Sequence, residues 1–382
     1  MTGFRFPIAI GIFFIHATHL YNPASGFTTP VTPFADQGFA TWLSEFMIPI
    51  GLPFLSLFFM LSGFVLAWSS KPGERPSSFW RRRFFRVFPN HVVTFVLALI
   101  LITGATTNWL PNLLLVHTWD PNEPHGGANV IVWSLCAELL FYTMFPFLIR
   151  PIRRIADSRL WLWAGAAGAG VVAIPLAAKL FFHDPILPGI LPISPNQMWF
   201  ASLFPPSRLF EFTLGMLLAE IVRRGLFPHI RVPVLLALWA ASWTVAQFVT
   251  VPWTYAVVGL LPNFLTLGAI ATADLRGVKS ILTSRLAVWG GNISYAFFMV
   301  QMVVLYWGRT QFSGTYDYLP AIGVFIGFFF ATLLAAWILF KCVEQPIMKH
   351  LARPKRKPPQ AVSLPVTVPS GASATGKEGA AA

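Results

Sequence analysis

The first apolar segment of the chain carries two side chains whose types and spacing suit proton transfer. Arg5 and His16 are eleven residues apart. At 100° per residue, a helix brings them to within about 20° of one face, about 16 Å apart along the axis. Histidine takes and returns a proton near neutral pH, as attack by an alcohol on a thioester requires, so His16 is a candidate general base. The alternative is an arginine that anchors the segment's border and a hydrogen-bonded core histidine.

An acid lies within the fourth apolar segment. Ser134, Glu138 and Tyr142 follow one another at a spacing of four, which places them on one face of a helix. Glu138 would lie about 10 Å from the outer end, in the same half of the bilayer as His16. It is a second catalytic candidate, because a carboxylate there can orient the imidazole or bind an acceptor hydroxyl. The alternative is a structural hydrogen bond between helices. Ser134 and Tyr142 are candidates for substrate binding.

A third pair of charges opens the sixth apolar segment. Arg208 and Glu211 lie at its outer end with a spacing of three. Side chains three apart on a helix are neighbours, so the two can simply pair with each other. Because they lie on the side where an acceptor would enter, they are also candidates for substrate binding.

The most basic stretch precedes the third apolar segment. Residues 79–89 place four arginines between aromatic residues and end at Pro89. Arginine forks bind phosphate, and aromatic rings can flank an adenine. The same composition is typical of a membrane border that binds anionic lipid, so both interpretations stand.

The elements that position these residues are membrane-spanning helices. The chain is 55% hydrophobic and 11% charged, whereas soluble domains are about a quarter charged. Apolar stretches of about twenty residues recur, each long enough to cross a hydrocarbon core of about 30 Å. The sequence therefore predicts an all-α, polytopic membrane protein of about ten helices. The predicted spans are 6–20, 47–68, 90–107, 131–149, 160–178, 208–222, 233–250, 253–272, 287–306 and 319–340.

The distribution of positive charge predicts the orientation of these helices. Placing both termini in the cytoplasm puts all 27 lysines and arginines on the inner side except Lys179, Arg208 and Arg309. This indicates a multi-pass protein of the cell's inner membrane. The net charge of +13 then lies at membrane borders, so nucleic acid is not an expected partner. Pro-, Asn- and Gly-rich loops at 21–46, 108–130 and 179–207 would form a binding mouth on the outer side.

Composition also predicts two regions and excludes several functions. Residues 1–350 form the membrane domain, whereas 351–382 are rich in Pro, Lys, Ser, Gly and Ala and are predicted to be a disordered cytoplasmic tail. With two cysteines, neither a disulfide framework nor a repeated metal-ligand spacing is available, and no metal is expected. The first apolar segment lacks a cleavage site and is predicted to be retained as a helix.

Several of these residues lie in blocks that resemble the acyltransferase 3 family of membrane O-acyltransferases, whose members acylate O-antigens, exopolysaccharides and macrolides. The opening segment, with ten residues between Arg5 and His16, is similar to the family's first helix. The other blocks follow in the family's order over about residues 3–350, and the ordered combination is specific although each block alone is weak. They are Phe58–Phe64, Arg83–Arg86, Trp133–Tyr142, Arg208–Gly215, Gly291–Tyr295 and Val343–Pro346.

The resemblance implies a ten-helix bundle that uses acyl-CoA from the cytoplasmic face as a co-substrate, with no permanently bound cofactor. His16 would be the catalytic base or a transient acyl carrier, and Arg5, Arg83 and Arg86 would bind the donor's phosphates. The expected reaction transfers an acyl group, in particular acetyl, to a hydroxyl of a carbohydrate or glycoside. Many relatives have a histidine where this chain has Gln301, so no role is carried over to that position.

Two other classes remain open on the residues alone. A transporter or flippase for a glycan or lipid-linked substrate would also bury His, Glu and Arg side chains in ten helices. The sequence lacks the internal repeats that mark many transporters. A structural subunit of a polysaccharide-export assembly is the third possibility, and it would tolerate loss of His16.

Overall fold

The fold was analysed in a computed structural model, which describes residues 1–18, 31–103, 109–122, 128–185 and 194–351. Over these ranges the regular structure is helical, apart from one isolated β-bridge between Phe34 and Tyr316. The prediction of an all-α membrane protein is confirmed. The predicted tail after residue 351 lies outside the described residues, as does most of the loop that follows the first helix.

The helices that build the bundle are numbered in chain order. They are α1 Arg5–Thr18, α2 Gln37–Ser69, α3 Pro76–Ala98, α4 Trp109–Leu113, α5 Trp133–Arg154, α6 Asp157–Phe181, α7 Pro195–Met198, α8 Leu209–Arg223, α9 Val232–Ala246, α10 Val251–Trp253, α11 Leu260–Leu275, α12 Arg285–Gln311, α13 Tyr318–Leu339 and α14 Gln345–His350. Short 3-10 turns lead into α1, α5, α8 and α12, and π-helical turns extend α3 and join α10 to α11 and α13 to α14.

Within the described ranges, seven helical segments are long and apolar enough to cross a membrane: Gln37–Ser69, Pro76–Ile102, Val130–Arg154, Asp157–Phe181, Val251–Leu275, Arg285–Gln311 and Tyr318–His350. Thr2–Thr18 and Val232–Ala246 are apolar but shorter. Together with α8, these segments overlap all ten predicted spans.

Two helices begin earlier than their sequence patterns predicted. α2 begins at Gln37 because the Asp36 carboxylate caps it, accepting a hydrogen bond from the backbone N–H of Phe39 at 2.9 Å. α3 begins at Pro76, a residue whose fixed φ suits the first helical turn. The basic stretch, which was predicted to precede the third span, therefore lies inside α3. Its arginines project from a helix at fixed angles, which is what lets them face a common site.

The centre of the bundle is a close crossing of α2 and α8. A Cβ on Gly63 would lie 1.9 Å from the carbonyl oxygen of Phe212, and one on Gly215 would lie 1.9 Å from that of Met60. Small residues are what allow membrane helices to approach this closely. The Phe212 ring stacks on Phe141 of α5 at 4.5 Å between centroids. The crossing thus fixes the position of α5, which carries Glu138 and Tyr142.

A second close approach fixes α1 against α12. A Cβ on Gly291 would lie 2.0 Å from the carbonyl oxygen of Thr2. Further along the pair, the rings of Phe13 and Phe297 are 5.7 Å apart. The two helices therefore run side by side in the same direction, which determines where Arg5 and His16 face.

Candidate active site

Five helices converge on a narrow cavity of about 70 Å³. It is lined by Arg5 from α1, Ser62 from α2, Arg83 and Arg86 from α3, Glu138 and Tyr142 from α5, and Ser294 and Tyr295 from α12, together with apolar residues of α2. Five residues singled out from the sequence thus meet here, although they come from segments up to 137 residues apart (142 minus 5). The remaining predicted site residues lie elsewhere.

The cations of the cavity are held against aromatic rings. The Arg83 guanidinium lies 5.3 Å from the ring centroid of Phe79 and 5.7 Å from that of Tyr142. Arg86 lies 5.6 Å from the ring of Tyr295, whose hydroxyl donates to the carbonyl of Val87 at 3.2 Å. Cation–π contacts orient guanidinium groups while leaving N–H donors free. The Nε of Arg83 is such a donor, because it is buried and has no hydrogen-bond partner among the described residues.

Arg86 also forms an ion pair that the sequence analysis did not anticipate. Its partner is Glu344, which is 1% exposed and also accepts a hydrogen bond from the Asn90 amide at 2.7 Å. Glu344 belongs to one of the motif blocks, yet it was not among the predicted site residues. The signal that could have found it is its place in the Val343–Pro346 block, just beyond the end of the tenth predicted span.

A wider vestibule of about 540 Å³ adjoins the cavity and shares Arg5 and Arg86 with it. Arg82, Lys349 and Asn292 also line this vestibule, so four cations face one acid, Glu344, among the lining residues that the structure describes. Its volume is within the range of about 300–1,000 Å³ that is typical of ligand pockets. The excess of cations suits a polyanion such as a phosphorylated ligand. Among the described residues, no three His, Cys, Asp or Glu side chains cluster to hold a metal ion.

The structure places Glu138 beside the arginines of the cavity. Glu138 lines the same cavity as Arg5, whereas His16 is about 16 Å further along α1 and is not part of this lining. The charges that attract the Glu138 carboxylate are Arg5, Arg83 and Arg86, and Tyr142 lies within hydrogen-bonding reach. The spacing of residues in the sequence determines their relative positions along the axis of one helix, but not their positions relative to residues of another helix. The offset between α1 and α5 comes from packing, and it places the acid among the arginines.

His16 lies deeper in the bundle than the cavity. Its side chain is buried, on a helix whose neighbouring Ile15 fits against Gly51 of α2. Gln301 of the adjacent α12 is fully buried, and neither end of its amide has a hydrogen-bond partner among the described residues. The structure thus separates the predicted site into an arginine-lined cavity and a buried histidine further along α1.

Ser134 and the Arg208–Glu211 pair lie outside the cavity lining. The Ser134 hydroxyl donates to the carbonyl of Ile131 at 3.4 Å. Arg208 and Glu211 are 1% and 0% exposed and form an ion pair at 3.2 Å, which confirms that they pair with each other. Glu211 also accepts from the Ser56 hydroxyl at 2.7 Å, which ties α8 to α2. The pair therefore reinforces the central helix crossing.

We expect either single replacement in this pair, Arg208→Met or Glu211→Leu, to destabilise the protein by about 3–5 kcal/mol, because each leaves a buried charge unpaired. The double variant is expected to recover most of that loss. The measurement is the thermal unfolding midpoint of the detergent-solubilised protein. If the two losses of stability simply add in the double variant, Arg208 and Glu211 are not energetically coupled, and the prediction is contradicted. A stable double variant with a raised KM for acceptor would instead support substrate binding by these residues.

Comparison with known proteins completes the assignment of class. A family model described as an acyltransferase domain matches residues 1–341. The chain therefore belongs to the acyltransferase 3 family and is a membrane-bound O-acyltransferase. This confirms the resemblance seen in the motifs and favours an enzyme over a transporter, a flippase or a structural subunit.

Two relatives are similar over most of their length. Acyltransferase MdmB of Streptomyces mycarofaciens is 33% identical over 385 residues, covering 96% of this chain and 95% of that protein. Nodulation protein 10 of Rhizobium leguminosarum bv. viciae is 23% identical over 272 residues, covering 64% of this chain and 67% of that protein. No solved structure matches the chain.

Proposed function

We propose that this enzyme transfers an acyl group from cytoplasmic acyl-CoA to a hydroxyl of a carbohydrate or glycosylated acceptor at the inner membrane of the cell. The observation that carries the donor assignment is the arginine-lined cavity beside a cationic vestibule. The acceptor class rests on the motif resemblance. Ten crossings with both termini in the cytoplasm are part of the proposal, supported by the ten helical segments and the distribution of lysine and arginine.

The donor would occupy two compartments of different width. The vestibule is wide enough for a nucleotide, and its cations Arg5, Arg82, Arg86 and Lys349 can bind phosphate oxygens. The adjoining cavity is much smaller, at about 70 Å³, and would receive the thioester arm. The Nε of Arg83, which is buried and has no partner within the part of the chain that the structure describes, is positioned to donate to an oxygen of that arm. This order would place the thioester in the cavity beside Arg83 and Tyr142.

His16 is proposed to act as the base at the end of this path. It would take the proton from the acceptor hydroxyl as the oxygen attacks the thioester carbonyl. The carbon–sulfur bond then breaks, and the proton returns to the leaving CoA thiolate. Glu138, which lies beside Arg5 and Tyr142, is proposed to contact the thioester arm of the donor. It is not proposed to contact the imidazole of His16 directly. Ser134 remains a proposed acceptor contact only if the acceptor reaches the start of α5.

The donor assignment is tested with Arg83→Ala. Losing one charged hydrogen bond of about 1.5–3 kcal/mol is expected to raise the KM for acyl-CoA by about ten- to a hundredfold. We expect kcat to change less, because the contact is made in both the ground state and the transition state. The measurement is thiol release from acetyl-CoA by purified protein with a panel of glycosides, and mass spectrometry identifies the ester.

Arg81→Ala is the matched control for this test. Arg81 lies on the same helix, but it is exposed and donates to the carbonyl of Leu351 instead of lining the cavity. An equal rise in KM in both variants would mean that the basic stretch acts only through its general charge. If the wild-type protein releases no thiol from acetyl-CoA when an acceptor is present, the proposed function itself is overturned.

A further inference from the structure

A second pocket lies next to the cavity and shares lining residues with it. It is a groove of about 310 Å³ between α3 and α5. Its walls carry Trp80, Phe84 and Phe88 from α3, and Leu139 and Thr143 from α5. Phe84 is 51% exposed, so the groove is open along its side. The proposed donor and acceptor contacts use none of these five residues.

Apart from Arg83 and Tyr142, which the groove shares with the cavity, the polar groups in its walls already have partners. The Thr143 hydroxyl donates to the carbonyl of Leu139 at 2.9 Å. The Trp80 indole N–H donates to the carbonyl of Tyr142 at 2.9 Å, which also ties the two helices together at one end of the groove. What remains in the walls is aromatic and aliphatic surface. An occupant must therefore be apolar, because a polar one would find no partner there.

The groove joins the proposed donor site through two shared residues. Arg83 and Tyr142 line both the groove and the narrow cavity, with the guanidinium 5.7 Å from the centre of the tyrosine ring. A thioester held in the cavity beside this pair would point its acyl substituent past it into the groove. The lining changes from polar in the cavity to apolar in the groove. An acyl-CoA changes in the same way, from a polar thioester to an apolar acyl chain.

We propose that the groove between α3 and α5 binds the acyl chain of the donor, and that the enzyme accepts chains longer than acetyl. This proposal rests on the proposed function, because it takes the cavity as the thioester site. The groove's open side lets the end of a longer chain extend into the surrounding lipid. The competing occupant is a chain of a bilayer lipid, which would leave donor selectivity unaffected.

The proposal predicts how the rate depends on chain length. Each methylene moved from water into an apolar site contributes about fourfold in affinity. We therefore expect kcat/KM to rise by up to about fourfold per carbon from acetyl-CoA through butyryl- to hexanoyl-CoA, until the groove is filled. Acyl-CoA donors of these lengths, offered with one fixed acceptor, measure the slope directly.

Variants of the groove provide the decisive comparison. Thr143→Trp fills the groove and is expected to lower the ratio of hexanoyl to acetyl turnover at least about tenfold. Leu139→Ala widens it and is expected to raise that ratio. Each ratio is taken within one sample, so a smaller folded fraction in a variant does not alter it. Val96→Trp is the matched control, because Val96 is an exposed residue of α3 that lies beyond the groove.

Three outcomes separate the hypotheses. A ratio that falls in Thr143→Trp and not in Val96→Trp supports the acyl-chain groove. Turnover of all donors with an unchanged ratio in Thr143→Trp overturns the groove and leaves the proposed function intact. Wild-type protein that releases no thiol from any donor overturns the proposed function, and the groove with it.

Discussion

Replacing His16 with alanine is expected to lower the rate of acyl transfer by about 10²–10⁴-fold, the usual contribution of a positioned general base. The acceptor hydroxyl would lose the group that takes its proton, and the burial of His16 keeps bulk solvent from replacing it. The KM for acyl-CoA should change little, because Arg5, the α1 residue that lines the cavity, lies about 16 Å from His16 along the helix axis. The measurement is ester formation at saturating donor and acceptor, normalised to monodisperse protein.

His91→Ala is the matched control for His16→Ala. His91 is a fully buried histidine of α3 whose Nε2 lies 3.2 Å and 3.1 Å from the carbonyl oxygens of Asn112 and Leu113. Its loss is expected to lower the unfolding temperature without a comparable loss of rate per folded molecule. If His16→Ala behaves in the same way, with ester formation at the normal rate in correctly inserted protein, then His16 is a core residue and not the base.

Gly215→Val is expected to prevent the protein from folding into its native bundle. A Cβ at this position would lie 1.9 Å from the carbonyl oxygen of Met60, and that atom belongs to the backbone of α2. A backbone atom cannot move aside as the end of a side chain can, so α2 and α8 must separate. Overpacking of cores costs about 1–3 kcal/mol, and we expect the cost here to exceed that range. Because α2 lines the cavity, the site would be lost with the crossing.

Two other glycines provide the control for this prediction. Gly165 of α6 and Gly327 of α13 lie in helices, and a Cβ added to either would have open space for 4 Å around it. Valine at either site should leave the monodisperse fraction and the unfolding temperature close to those of the wild type. The measurement is size-exclusion chromatography in detergent with a thermal scan. Normal elution of Gly215→Val would contradict the close crossing of α2 and α8.

Much of the molecule could be predicted from local properties of the chain. Apolar length and low charge identified a helical membrane protein, because a bilayer admits few other backbone structures. Helical periodicity placed Glu138 and Tyr142 on one face, and both line the cavity. The motifs singled out Arg5, Arg83 and Arg86, which meet at the same cavity. These properties depend on neighbours within a few turns, so the order of residues is sufficient to predict them.

The sequence alone determined which side chains are available for chemistry, whereas the tertiary structure decided which of them meet. Glu138 lies among the arginines of the cavity, Arg208 pairs with Glu211, and Arg86 pairs with Glu344 from a distant part of the chain. Such pairings depend on how far each helix slides and rotates against its neighbours. That offset is set by contacts such as those of Gly63 and Gly215, where two backbones touch, and no spacing within a single segment encodes it.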